Sequence, residues 1–169
     1  SAGAGISEVT VPFFNHGSLD VESGSLRLTG AQVCDFAGLN FLAVKPAASV
    51  WLPVSLTGNT TNLVQFLPDG TVWLTGGTPT TPQLLEVMSQ DLGSDEAAFQ
   101  HNFAYGVLAL ASGTFVRLVD NADNARGSEP EALYARSLVV PAGCALDLNG
   151  FHLYARTGQL LGAVTNGIL

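Results

Sequence analysis

The sequence predicts an all-β chain wound as a parallel β-solenoid of about six rungs, and three observations predict it. Five segments repeat one pattern, the spacing of their inward positions clusters near 22 residues, and helix-forming stretches are nearly absent. In each segment two alternating apolar residues precede a turn of Gly, Ala or Pro, and two more follow it.

The segments are SLDVESGSLRLTG from Ser18, FLAVKPAASVWLP from Phe41 and LVQFLPDGTVWLTG from Leu63, then VLALASGTFVRLVD from Val107 and SLVVPAGCALDLNG from Ser137. Alternation puts Leu19, Val21, Leu26 and Leu28 on one face, with Asp20 and Arg27 on the other. The same reading turns Val44, Val50, Leu52, Phe66, Val72 and Leu74 inward. Leu110, Val116, Leu118, Val140, Leu146 and Leu148 follow. Between the last inward residues of successive units the steps are 24, 22, 44 and 30, so the doubled step predicts one irregular rung between Leu74 and Leu118. QLLEVMS from Gln83 is a strand candidate at its start, and residues 121–130 read as an inserted loop. An antiparallel β-sandwich is the alternative, since it too is built from short strands at regular spacing. Asp69-Gly70 and Asn149-Gly150 are the two dipeptides that fit a tight hairpin turn. Residues 94–99 fit one short helical turn, and 129–136 suit helix or strand equally.

Composition bounds the function. The chain has 169 residues, read as one domain spanning 1–169, with strand-like apolar end segments at 6–14 and 160–169. Charged residues make up 12%, about half the usual share, and the net charge is −8. An acidic chain without a basic cluster is a poor partner for nucleic acid or an anionic membrane surface. No apolar run approaches the ~20 residues of a membrane span. The first residues, SAGAGISEVT, lack the charged and apolar regions of a secretory signal and read as a mature or trimmed terminus.

The units GSLDVESGSLRLTG and SLVVPAGCALDLNGFHLYAR resemble rungs of right-handed parallel β-helix regions in large secreted bacterial proteins. The stretch from LLEVMSQDLG to GFHLYAR is similar to the C-terminal β-helical segments of such proteins. The likeness covers roughly the last 90 residues, and the earlier part at the level of the repeat. It implies a right-handed solenoid in an extracellular or cell-surface setting. These families are mostly uncharacterised, so it implies no activity.

Several residues are candidates for chemistry. Trp51 and Trp73 hold the same outward position in successive units, with Arg27 in the unit before, and a flat platform of this kind would stack against a sugar or a partner protein. Asp120, Asp123, Asn124 and Glu129 offer calcium-type oxygen ligands, without the spacing of an EF-hand. Gln90, Asp91, Asp95 and Glu96 form a weaker cluster of the same type. His16, His101 and His152 match no zinc spacing. A polysaccharide lyase or hydrolase would need paired outward carboxylates, yet Asp20, Glu22 and Asp147 fall in distant rungs and Lys45 stands alone. No catalytic residue is therefore assigned, and no cofactor. Cys34 and Cys144, several rungs apart, are expected as free thiols, because a disulfide needs Cα atoms within about 7 Å. The expected function is a non-enzymatic extracellular structural module that associates with itself or with neighbouring solenoid segments, head to tail. A carbohydrate-binding or carbohydrate-processing module is the alternative.

Overall fold

The computed structural model describes residues 5–15, 17–36, 41–58, 60–125 and 130–169. In chain order the strands begin β1 (Ile6–Glu8), β2 (Phe13–Asn15), β3 (Ser18–Val21), β4 (Gly24–Arg27), β5 (Ala31–Phe36) and β6 (Phe41–Val44). Next come β7 (Ala48–Leu52), β8 (Leu56–Gly58), β9 (Phe66–Leu67), β10 (Thr71–Leu74), β11 (Gln83–Glu86) and β12 (Ser89–Gln90). One short helix, α1 (Glu96–Gln100), precedes β13 (Ala104–Leu110), β14 (Phe115–Val119) and β15 (Glu131–Val140). The last strands are β16 (Ala145–Asp147), β17 (His152–Leu160) and β18 (Ala163–Thr165).

These strands form three sheets. The first runs β1-β4-β7-β10-β13-β15, with β17 and β12 also paired to β15, and the second runs β2-β5-β8-β11-β14-β16-β18. The third holds β3, β6 and β9 alone. Among the described strands β12–β15 is the one antiparallel pair. The fold is thus all-β with parallel sheets, and an antiparallel sandwich is set aside. An even stack of six rungs is not what the sheets display, because the third stops after three strands.

Register explains the core. Leu26, Val50, Val72, Leu108 and Leu138 are successive partners across the first sheet, and the last four are fully buried. Leu56, Leu85 and Leu118 form the matching column of the second sheet. Each of these inward side chains therefore packs on a similar one in the next strand. Of the predicted inward residues, Leu19 and Leu26 are half-buried and the others are buried.

The expected step of 44 residues is corrected. Leu74 pairs with Leu110, not with a position leading to Leu118, because β14 belongs to the second sheet. The first three repeats span the bend from third sheet to first, whereas the last two span the bend from first to second. Alternation around a turn looks the same at either bend. The actual steps along the first sheet, from Leu26, are 24, 22, 36 and 30 residues.

Turn chemistry sets these bends. Thr114 N donates to Ala111 O and Cys144 N to Pro141 O, with Gly113 and Gly143 at φ of 75° and 79° in the third turn position. That left-handed conformation favours glycine. Asn149 and Gly150 also have positive φ, 51° and 92°. They match the dipeptide expected for a hairpin, but β16 and β17 on either side lie in different sheets, so the turn makes a bend. At Gly106 a Cβ would meet Asp69 O at 1.9 Å, so neighbouring backbone excludes any side chain.

α1 starts two residues later than the predicted turn, and its Ala98 and Phe99 pack on Ala132 and Tyr134 outside the first sheet. Residues 131–136, ambiguous by sequence, begin the ten-residue β15. Leu108→Ala is expected to cost about 2–5 kcal/mol in urea unfolding, and Leu92→Ala, at an exposed site, under about 0.5 kcal/mol.

Candidate functional site

The outward column of the first sheet carries Glu8, Arg27, Trp51, Trp73 and Ala109 in register. The two indoles stack with centroids 4.8 Å apart and planes 16° apart, and the Arg27 guanidinium lies 4.7 Å from the Trp51 centroid. These residues are together as the sequence predicts, but the geometry of the expected platform is corrected. Parallel in-register pairing sets rings along the sheet like coins in a roll, so Trp51 spends one face on Trp73 and the other on Arg27. Trp51 therefore offers a sugar its edge rather than a flat face. Both rings are half-buried, beside a cleft of about 250 Å³ lined by Arg27, Trp51, Pro53 and Thr75.

A second cluster escaped the sequence reading because its members are far apart in the chain. Tyr154 donates its hydroxyl to Asp91 Oδ1 at 2.8 Å, and His152 Nδ1 lies 2.6 Å from Asp91 Oδ2. Tyr134 accepts from Leu92 N at 2.9 Å and donates to Gly93 O at 3.0 Å. Burial, followed by the hydrogen bond to Asp91, pushes the Tyr154 hydroxyl up to about 12. A carboxylate that fixes an imidazole in this way resembles general-base chemistry. However, the flanking clefts of about 320 and 680 Å³ are lined by neither His152 nor Asp91. The cluster ties the segment around α1 to β15 and β17. Phe99 adds to it, edge-on to Tyr134 and capped by Arg156, which also pairs with Glu96.

The loop proposed for calcium is organised by protein carboxylates. Glu86 Oε1 accepts from the backbone N–H of Asn121 at 2.5 Å and of Ala122 at 2.9 Å. Glu131 Oε1 accepts from Asn124 N at 2.6 Å and Ala125 N at 2.5 Å. Asp120 and Asp123 are exposed, Asn124 is buried, and Glu129 lies outside the described residues. Among the described residues no three His, Cys, Asp or Glu side chains group as a metal ion requires. In LLEVM the sequence signal was a lone carboxylate inside an apolar run. Its partner, the backbone of a loop 35 residues on, is invisible to any local pattern.

The remaining candidates stay apart. Asp91 is committed to His152 and Tyr154, Asp95 precedes α1, and Gln90 ends β12. Asp20 lies on β3 in the third sheet, Glu22 is exposed just after it, and Lys45 is exposed at a bend. Asp147, on β16, is held below its usual range by hydrogen bonds from Asn166 and Arg117 that outweigh its partial burial. His101 is exposed and His16 lies outside the described residues. Cys144 is free and buried, while the side chain of Cys34 is not among those described.

β17 carries the other notable surface. Its partner is β15, and Ile168 bridges back to its first residue, His152. From Arg156 to Leu160 it is exposed, and Leu160, Leu161, Ile168 and Leu169 are 39–67% exposed. Leu160, Ile168 and Leu169 line the cleft of about 680 Å³. No helix among the described residues is long and apolar enough to cross a membrane.

No protein-family model matches the chain, and no curated protein and no solved structure matches it.

Two predictions follow from this geometry. Desolvation raises Glu131 from 4.5 to about 7, and raises Glu86 in the same direction. A carboxyl whose folded value is raised adds stability below its unfolded value, and that stability is lost as pH rises through the folded value. Between pH 5 and 8 the melting temperature should therefore fall, by on the order of 5 °C, and Glu131→Gln should flatten the slope in a calorimetric pH series. Stacked indoles couple their transitions, so Trp51→Phe and Trp73→Phe should each abolish a far-ultraviolet exciton couplet in circular dichroism.

Proposed function

We propose that the chain is a non-enzymatic structural module: a segment of right-handed parallel β-solenoid, extracellular or at a cell surface, that joins copies of itself head to tail. Support for the solenoid comes from the pairing order, in which β1 to β8 are each followed, after two strands elsewhere, by the next strand of their own sheet. Right-handedness follows from the strong bias of parallel crossover connections. An irregular solenoid fits better than an even one, since α1 and its flanks replace the third sheet after β9.

The observation that carries the assembly reading is the open end formed by β17 and β18. Past the Ile168 bridge at His152, the exposed Arg156–Leu160 stretch of β17 lies beside four exposed leucine and isoleucine side chains, a surface that pairs readily with another strand. The opposite edges of the same two sheets are β1 and β2, with Ile6 62% and Val11 64% exposed nearby. A second copy placed end to end would continue both sheets in parallel. Contacts of this kind do not close, so they elongate. A surface with few like charges does little to oppose them.

Sedimentation velocity from micromolar to near-millimolar chain is expected to show a weight-average coefficient that climbs with concentration. The double variant Leu161→Asp, Ile168→Asp, its circular dichroism unchanged, is expected to remain monomeric. A wild-type chain that stays monomeric throughout that range overturns the proposal, as does a double variant that still elongates.

A further inference from the structure

We propose that the cleft between residues 61–63, 88–103 and 124–125 binds a neutral polyhydroxylated ligand the size of one sugar unit. Its volume of about 320 Å³ stands at the lower end of the range for small-ligand sites. The chain has a net charge of −8, yet among the described residues no Asp, Glu, Lys or Arg lines this cleft, and the titratable side chain in its wall is that of His101. A cationic ligand would therefore lose its hydration there without gaining an opposite charge, and an anionic one would meet the His101 imidazole alone among the described lining residues.

The lining is rich in amides. Asn62, Gln90, Asn102 and Asn124 contribute, over an apolar base of Met88 and Phe103. An amide offers a donor and an acceptor together, and a hydroxyl is both, so the two match in a way that ions do not. The apolar base suits the C–H face of a sugar ring.

Three of these amides, those of Asn62, Asn102 and Asn124, are held before any ligand arrives. Asn62 Oδ1 accepts from Val64 N at 3.2 Å, and Asn102 Nδ2 donates to Gln90 O at 2.9 Å. Asn124 Nδ2 donates to Thr60 O at 3.2 Å, while Glu131 holds the backbone N–H of Asn124 and of Ala125. Such preorganisation lowers the ordering cost of binding. Asn124 is 2% exposed, and its Oδ1 has no hydrogen-bond donor. Turning the amide over would not help, because Thr60 O needs the donor that Nδ2 supplies. A buried acceptor without a donor is unfavourable, and a hydroxyl brought into this wall would supply one.

This cleft shares no residue with the groove at the open end, so the inference stands apart from assembly. The test uses the whole 169-residue chain and the methyl glycosides of glucose, galactose and mannose. Saturation-transfer NMR is expected to show at least one of them binding with millimolar affinity. Amide shift changes in ¹H–¹⁵N spectra are expected to fall on residues 61–63, 88–90, 101–103 and 124–125. Gln90→Ala and Asn102→Ala should weaken binding at least tenfold, while Trp51→Ala leaves it unchanged. The proposal is overturned by transfer to none of the three glycosides, by shift changes confined to the Trp51–Trp73 column, or by full binding in Gln90→Ala. Shift mapping on the unaltered chain decides the matter even where a variant fails to fold.

Discussion

Parallel in-register pairing is the constraint on which the rest of the structure depends. Once β4, β7, β10, β13 and β15 pair residue to residue, every inward position stands on another inward position. The same rule applies outside, where it sets Arg27, Trp51 and Trp73 in one column. Core filling and surface chemistry are therefore two consequences of one register, and a slip of one residue would exchange them.

Short charged inventory makes the buried polar groups stand out. Gln83 is buried yet fully used: Nε2 donates to Leu52 O and Val54 O, and Oε1 accepts from Gly76 N. Glu86 and Glu131 are used by halves, since each binds loop backbone through Oε1 and leaves Oε2 without a partner. A proton on that second oxygen is a cheaper solution than an unpaired buried charge, which accounts for the upward shift at both. The backbone of residues 121–125 is thus held by two glutamates outside that stretch.

Much of the fold was legible because alternation is a local property. Val50, Val72, Leu118 and Leu146 could be turned inward from their neighbours alone, and the Trp51–Trp73 register followed from the turn before each. Which bend a turn makes was not legible, since Leu74 and Leu118 sit in similar strings but in different sheets. Nor was ring orientation, because spacing says that two side chains are neighbours and not how their planes lie. The clusters around Asp91 and Glu86 depend on partners 63 and 35 residues away and leave no pattern in any window.

The uneven steps along the first sheet bear on how the chain folds. Joining β10 to β13 closes 36 residues, whereas joining β7 to β10 closes 22. Loop-closure entropy makes the wider step dearer by only about 0.4 kcal/mol. That difference is small beside a single buried leucine, so the segment carrying α1 does not divide the chain into separately melting halves. The length of the connection through α1 is therefore a small term beside the side-chain contacts that β10 and β13 make once paired.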